Sequence, residues 1–135
     1  MSVESVETED RPVRGVRNPE IVDLITEDSR RNQVVLVLIE DRGWDLGREQ
    51  LEQLNDKLGN YFVYVLDGHL EEQYPQYAGM PVRIQLDTTE EPAPEARAML
   101  REATRVGAQH GLAVVVRVLD AEDIPRAPWE EEPED

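Results

Sequence analysis

The sequence predicts an α+β domain, a two-layer sandwich in which two helices cover one face of a four-stranded mixed sheet. Three observations carry this expectation. Apolar stretches of strand-like length recur at "IVDLIT" (21–26), "QVVLVLIE" (33–40), "VRIQLD" (82–87) and "LAVVVRVL" (112–119). Two longer segments place apolar residues three and four apart, the helical period. The two kinds follow one another as β-β-α-β-α-β, in a chain of 135 residues that has room for one ordinary domain.

Each element has its own justification. "IVDLIT" and "QVVLVLIE" are separated by the short polar "EDSRRN" (27–32), which predicts an antiparallel hairpin. The second of these strands is apolar on both faces, the pattern of a strand central in a sheet. From Asp45 to Asp67-Gly68 the sequence predicts an amphipathic helix of about six turns. Leu51, Leu54, Leu58, Tyr61, Phe62, Val65 and Leu66 form its inner face, and Glu49, Glu52, Gln53, Asp56, Lys57 and Asn60 its outer one. Gly68 suits a left-handed cap. The stretch from His69 to Pro81 reads as a loop. In "VRIQLD" Val82, Ile84 and Leu86 point in while Arg83, Gln85 and Asp87 point out, which predicts a half-buried strand. A second helix opens with Pro94 in its first turn and stops at Gly111. Its inner face is Ala96, Met99, Leu100, Ala103, Val106, Gly107 and His110. A strand-helix-strand succession predicts parallel neighbours joined by right-handed crossovers. The strand order is not readable.

Residues 1–19 are polar and aperiodic and predict a flexible arm; 20–119 form the domain. Residues 120–135, with three prolines and eight acids, predict a disordered acidic tail. There Trp129 reads as a docking motif, a lid over the sheet, or simply part of a solvated tail. With both helices on one face, Val35, Val37, Ile39 and Val115, or the residues alternating with them, need a cover, and a second copy of the chain is the simplest candidate. Self-association through the uncovered sheet face is therefore expected.

Composition excludes several functions. The net charge of −16 argues against nucleic acid and against an anionic membrane, and permits a basic protein partner. The absence of cysteine removes disulfides, thiolate metal sites and a cysteine nucleophile. The N-terminus lacks the charge and apolar core of a signal peptide, and no apolar run approaches a membrane span. A cytoplasmic protein of bacterial type is expected. Arginine outnumbers lysine 13 to 1, which bears on codons. Dinucleotide, P-loop and nucleophile-elbow motifs are missing. The three serines lie outside the expected core elements. No cofactor and no metal are expected.

Two regions remain as candidate sites. In "LVLIEDRGWDLG" (36–47), Glu40, Asp41 and Asp45 could hold a divalent metal or act as general base, with Trp44 as a wall and His69 as a further ligand. The plainer alternative makes 41–43 a turn and Asp45 the N-cap of the long helix. His69 would then be a surface residue near a helix C-terminus. The loop "QYPQYAGMP" (73–81) concentrates Tyr74, Pro75, Tyr77, Met80 and Pro81, good contact residues for a partner, unless the tyrosines merely seal the sheet edge. The expected function is a non-enzymatic binding or protein-interaction module acting as a homodimer, with Trp44, Asp45, Tyr74, Pro75 and Tyr77 as contacts. A small metal-dependent hydrolase using Glu40, Asp41, Asp45 and His69 is the alternative.

Taken together, "NPEIVDLITED", "VVLVLIEDRGWD", "LEQLNDKLGNYFVYVLDG", "YPQYAG" and "VRIQLD" resemble a small family of uncharacterised bacterial proteins, a domain of unknown function. The resemblance covers residues 18–119. It implies a hairpin, an E-D-x-x-W-D junction, a long helix and a Y-P loop, and places Trp44, Asp45, Tyr74 and Pro75 in the family pattern. It implies no activity, cofactor or catalytic residue.

Overall fold

The computed structural model of the protein describes residues 14–126. Strands β1 (Leu24–Asp28) and β2 (Gln33–Glu40) form the hairpin. Helix α1 (Arg48–Leu66) follows, then a one-turn helix α2 (His69–Gln73) and a 3-10 turn (Pro75–Tyr77). Strand β3 (Val82–Thr88), helix α3 (Pro94–Gln109) and strand β4 (Leu112–Val118) complete the core, and a second 3-10 turn spans Ala121–Asp123. Among the described residues no helix is long and apolar enough to cross a membrane.

The sheet runs β1-β2-β3-β4. β1 pairs antiparallel with β2, while β2, β3 and β4 are mutually parallel, with Leu36 beside Ile84 and Ile84 beside Val114. The mixed α+β sandwich is thus observed, with one addition and one shortened element. The stretch 69–81 is no plain loop, because α2 and the 3-10 turn occupy it. The first strand starts at Leu24 rather than Ile21, because its backbone pairs only with Gln33 to Val37.

Alternation sorts β2 into two cores. Val34, Leu36 and Leu38 join Ile84, Leu86, Val114, Leu54, Leu58, Tyr61 and Leu100 in the main core under the helices. Val35, Val37 and Ile39 face the other way and are covered by Leu24, Leu119 and Ile124. That cover corrects the premise for self-association through this face. Val35, Val37 and Ile39 are 2, 1 and 0 % exposed within a single chain. The rest of the face is ionic. Arg117 grips Asp87 at 2.9 and 2.8 Å, Arg83 bonds Asp28 at 3.0 Å and Gln33 at 2.8 Å, and Gln85 bonds Asp87 at 3.1 Å. β3 is therefore buried on both faces rather than half-buried, with Gln85 and Asp87 as covered as Ile84.

Packed structure also runs beyond 20–119. Val16 is fully buried, its N–H donating to Ile39 O at 2.9 Å. Arg14 bonds Pro125 O at 3.1 Å and so ties together the two ends of the described segment. The remainder of the expected arm (1–13) and of the acidic tail, Trp129 included, lies outside the described residues.

Helix ends follow local chemistry. Gly68 takes a left-handed conformation (φ 87°, ψ 4°) that sends the chain from α1 into α2. Pro94 opens α3, where a missing N–H costs nothing. Gly107 lets α3 sit close to β4. A Cβ there would meet Leu112 O at 2.9 Å and Val114 Cγ2 at 3.2 Å.

Candidate functional site

The acidic junction after β2 is a closed structural unit. Glu40 is 1 % exposed, and its carboxylate takes two hydrogen bonds from the Arg42 guanidinium, at 2.8 and 2.7 Å. The Arg42 N–H (3.1 Å) and Gln50 Nε2 (3.1 Å) also donate to it. That pairing holds the Arg42 guanidinium above its usual pKa, against the opposing effect of partial burial. Gln50 also bonds Gly43 O and receives the Leu46 N–H, so the turn is stitched to the first turn of α1. Asp41 pairs instead with Arg14 at 2.8 Å and Arg17 at 3.5 Å. Desolvation pushes its carboxyl upward, but the bonds to Arg14 and the charges of Arg14 and Arg17 outweigh it and the pKa falls.

Asp45 does not cap the helix. α1 begins at Arg48 with Gly47 at the N-cap (φ 79°) and no side-chain cap bond; Asp45 is exposed. Glycine's access to positive φ places the start two residues later than the sequence pattern suggests. Trp44 turns inward. Its ring packs on the main core, and its Nε1 donates to Thr88 Oγ1 at 3.0 Å and Glu90 O at 3.2 Å. His69 sits past the far end of α1, whose 19 residues span about 28 Å. There it is exposed, near Glu72 at 3.7 Å, and its ring stacks with Tyr64 at 6.3 Å. The structure thus separates Glu40, Asp41 and Asp45 from His69 and from one another. Among the described residues no three His, Asp or Glu side chains converge as metal ligands.

A second polar cluster, which the charge of Lys57 masks in the sequence, holds Asp23, Lys57 and Tyr61, each fully buried. Lys57 Nζ donates to Gly15 O (2.7 Å), Asn18 O (2.8 Å) and Asp23 Oδ1 (2.8 Å). Asp23 also accepts from Gly15 N and Ile39 N, both at 2.9 Å. The Tyr61 hydroxyl accepts from Asp23 N and donates to Val37 O at 2.7 Å. Burial lowers the Lys57 pKa despite Asp23, and burial drives that of Tyr61 well up. Every strong donor here is satisfied, so the cluster joins the N-terminal segment to the sheet rather than waiting for a ligand. Its signal in the sequence was spacing. Lys57 lies three residues after Leu54 and four before Tyr61, on the inner face that its charge seemed to forbid.

The tyrosine region differs from both clusters because it is open. A groove of about 520 Å³ runs between Glu20–Ile25, which lead into and begin edge strand β1, and a wall of Tyr64, Gln73, Tyr74 and Tyr77. Tyr74 and Tyr77 lie ring to ring at 5.7 Å, and Tyr74 is 36 % exposed. Tyr64 donates to Gln73 Oε1 at 2.7 Å. Pro75 opens the 3-10 turn that orients both rings. Desolvation, with Glu27 beside it, raises the Tyr77 pKa, so the phenol stays neutral. The groove therefore contains Tyr74 and Tyr77 of the expected contacts. Trp44 and Asp45 lie at the opposite end of the parallel strands.

The family model for DUF6572, a family of unknown function, matches residues 14–120. The chain belongs to DUF6572. The match takes in Gly15 and Asn18, so the residues whose carbonyls close the Lys57 cluster lie within the family's domain. No curated protein matches the chain. No solved structure matches it.

Proposed function

We propose that this DUF6572 domain is a non-enzymatic protein-interaction module, and that the groove beside β1 receives an extended segment of a partner. The observation that carries this reading is the groove itself: an edge strand with no strand beyond it among the described residues, faced by tyrosines that expose apolar rings and polar tips. An added strand would gain main-chain hydrogen bonds from β1 and side-chain contacts from the rings. Glu20 lines the groove and Glu27 stands beside Tyr77, on a chain of net charge −16, which favours a segment flanked by Arg or Lys. Trp44 has no part in this surface, since its ring and N–H are committed inside. The hydrolase alternative draws no support from the geometry, because Glu40 and Asp41 are already paired with arginines.

A linear peptide library selected against the full chain tests the proposal. Enriched peptides should alternate apolar and polar residues and carry basic flanks. Tyr74→Ala should weaken their binding at least about thirtyfold, the weight of a hot-spot tyrosine, without altering the melting temperature. Enriched peptides that bind Tyr74→Ala and Tyr77→Ala as tightly as wild type would overturn it.

A further inference from the structure

The two edges of the sheet are built differently. β1 is five residues long and ends in Glu27 and Asp28, and Glu27 is exposed. Short length and acidic charge guard that edge against a second copy of this acidic chain and leave it to the basic segment proposed above. β4 is the other edge and has neither guard. Its seven residues are Leu-Ala-Val-Val-Val-Arg-Val, and among the described residues no strand lies beyond it. Its one charge, Arg117, is turned onto Asp87 of the neighbouring strand. Val116 and Val118 are 38 and 45 % exposed on the helix side, where α3 no longer covers the sheet. Beside them an apolar hollow of about 240 Å³ opens between Val116, Leu100 and Pro92.

We propose that β4 is a dimerisation edge, and that its occupant is β4 of a second copy, paired antiparallel about Val115 to make one continuous eight-stranded sheet. The sequence of the strand is complementary to its own reverse. In that register Val114 faces Val116 of the second copy, Leu112 faces its Val118, and Val115 faces itself. The exposed valines are covered by apolar partners. Ala113 falls opposite Arg117 of the second copy, and its small side chain leaves room for the arginine stem. No like charges stand opposite each other, whereas a register centred on Arg117 would oppose two guanidinium groups. A twofold axis makes every contact occur twice and closes the assembly at two chains. The peptide groove lies at the opposite edge, so the dimer leaves it free.

The absence of cysteine supplies a clean test. Across an antiparallel pair, residues opposite one another have Cα atoms about 4.5–5.5 Å apart, within disulfide reach of about 4.4–6.8 Å. Val115→Cys in the full chain should form a disulfide-linked dimer on mild oxidation. Val118→Cys should not, because its two copies would stand about 20 Å apart, and Thr26→Cys on β1 serves as a second negative control. Sedimentation of the unmodified chain should give a dimer, and Val116→Arg, at a side chain already part-exposed, should raise the dissociation constant at least about tenfold. A monomer even at roughly 1 mM, too weak for a specific interface, would overturn the proposal. So would a dimer that resists Val116→Arg and yields no Val115→Cys crosslink. Should Val116→Arg fail to fold, the crosslinking pattern decides alone.

Discussion

Replacing Lys57 by methionine tests whether the buried cluster holds the N-terminal segment to the domain. The substitution keeps the length and the apolar stem of the side chain and removes the ammonium group. Gly15 O, Asn18 O and Asp23 Oδ1 then lose a donor together. Removing one partner of a buried ion pair costs about 3–5 kcal/mol, because the other charge stays buried. Asp23 retains two backbone N–H donors, from Gly15 and Ile39, so the low end applies and the expected loss is about 3 kcal/mol. With a denaturant slope of about 1.5 kcal/mol per molar, urea unfolding should shift down by about 2 M. The melting temperature should fall by roughly 12 °C. Tryptic cleavage after Arg17 should accelerate more than cleavage elsewhere, since the lost bonds hold residues 15–18. Lys57→Arg should also destabilise, because a planar guanidinium cannot serve three acceptors grouped around a point charge. A urea midpoint for Lys57→Met within about 0.5 M of wild type would refute the reasoning, as would a neutral Lys57→Arg.

Other outcomes follow from the same geometry. Gly107→Ala should destabilise by about 1–2 kcal/mol in urea melts, because overpacking against Leu112 O and Val114 exceeds the roughly 1 kcal/mol gained in helix propensity. Asp28 bonds Arg31 and Arg83, which hold its pKa at about 2 against an ordinary 3.8. The unfolded chain takes up the proton first, so the Asp28 contribution is full above 3.8 and is lost as pH falls toward 2. Asp28→Asn should flatten the pH dependence of the urea midpoint over that window. Trp44→Phe should cost about 1–2 kcal/mol by leaving Thr88 and Glu90 without their indole donor, and calorimetry should detect it. If the dimer forms, its affinity should rise with salt, since each copy carries −16, and sedimentation at two ionic strengths will register the change.

The sheet and both long helices were legible because their periods are strong and uninterrupted. β2, β3 and β4 announced themselves by apolar runs, and Gly68, Pro94 and Gly111 marked helix boundaries by backbone preference alone. What escaped was decided by distant partners. Lys57 and Gln50 are polar residues on the buried arc of α1, and only the positions of Asp23, Gly15 and Glu40 make their burial tolerable. Asp87 and Gln85 looked like outward residues until Arg117, on another strand, folded over them. Ile124 sits in a stretch whose composition is that of a solvated tail, yet one isoleucine among acids is enough to seal Val35 and Ile39. That Tyr74 and Tyr77 gather in one stiff loop was legible from its composition. That it lines a groove was not, because the other wall comes from residues 20–25, some fifty positions earlier in the chain.

The buried lysine also bears on what chemistry can reach the chain. Lys57 is the only lysine, and it is 0 % exposed. Every basic side chain that meets solvent in the described domain is an arginine or a histidine, and neither acylates as an amine does. Acyl transfer to a lysine, or attachment of another polypeptide through an isopeptide bond, therefore has one side-chain target here, and that target appears only when the N-terminal segment lets go. Such a mark would be written on molecules that had opened, and an acylated Lys57 could not return to its three acceptors. Amine-reactive labelling at this position would read as a clock of opening events, one irreversible tick per molecule.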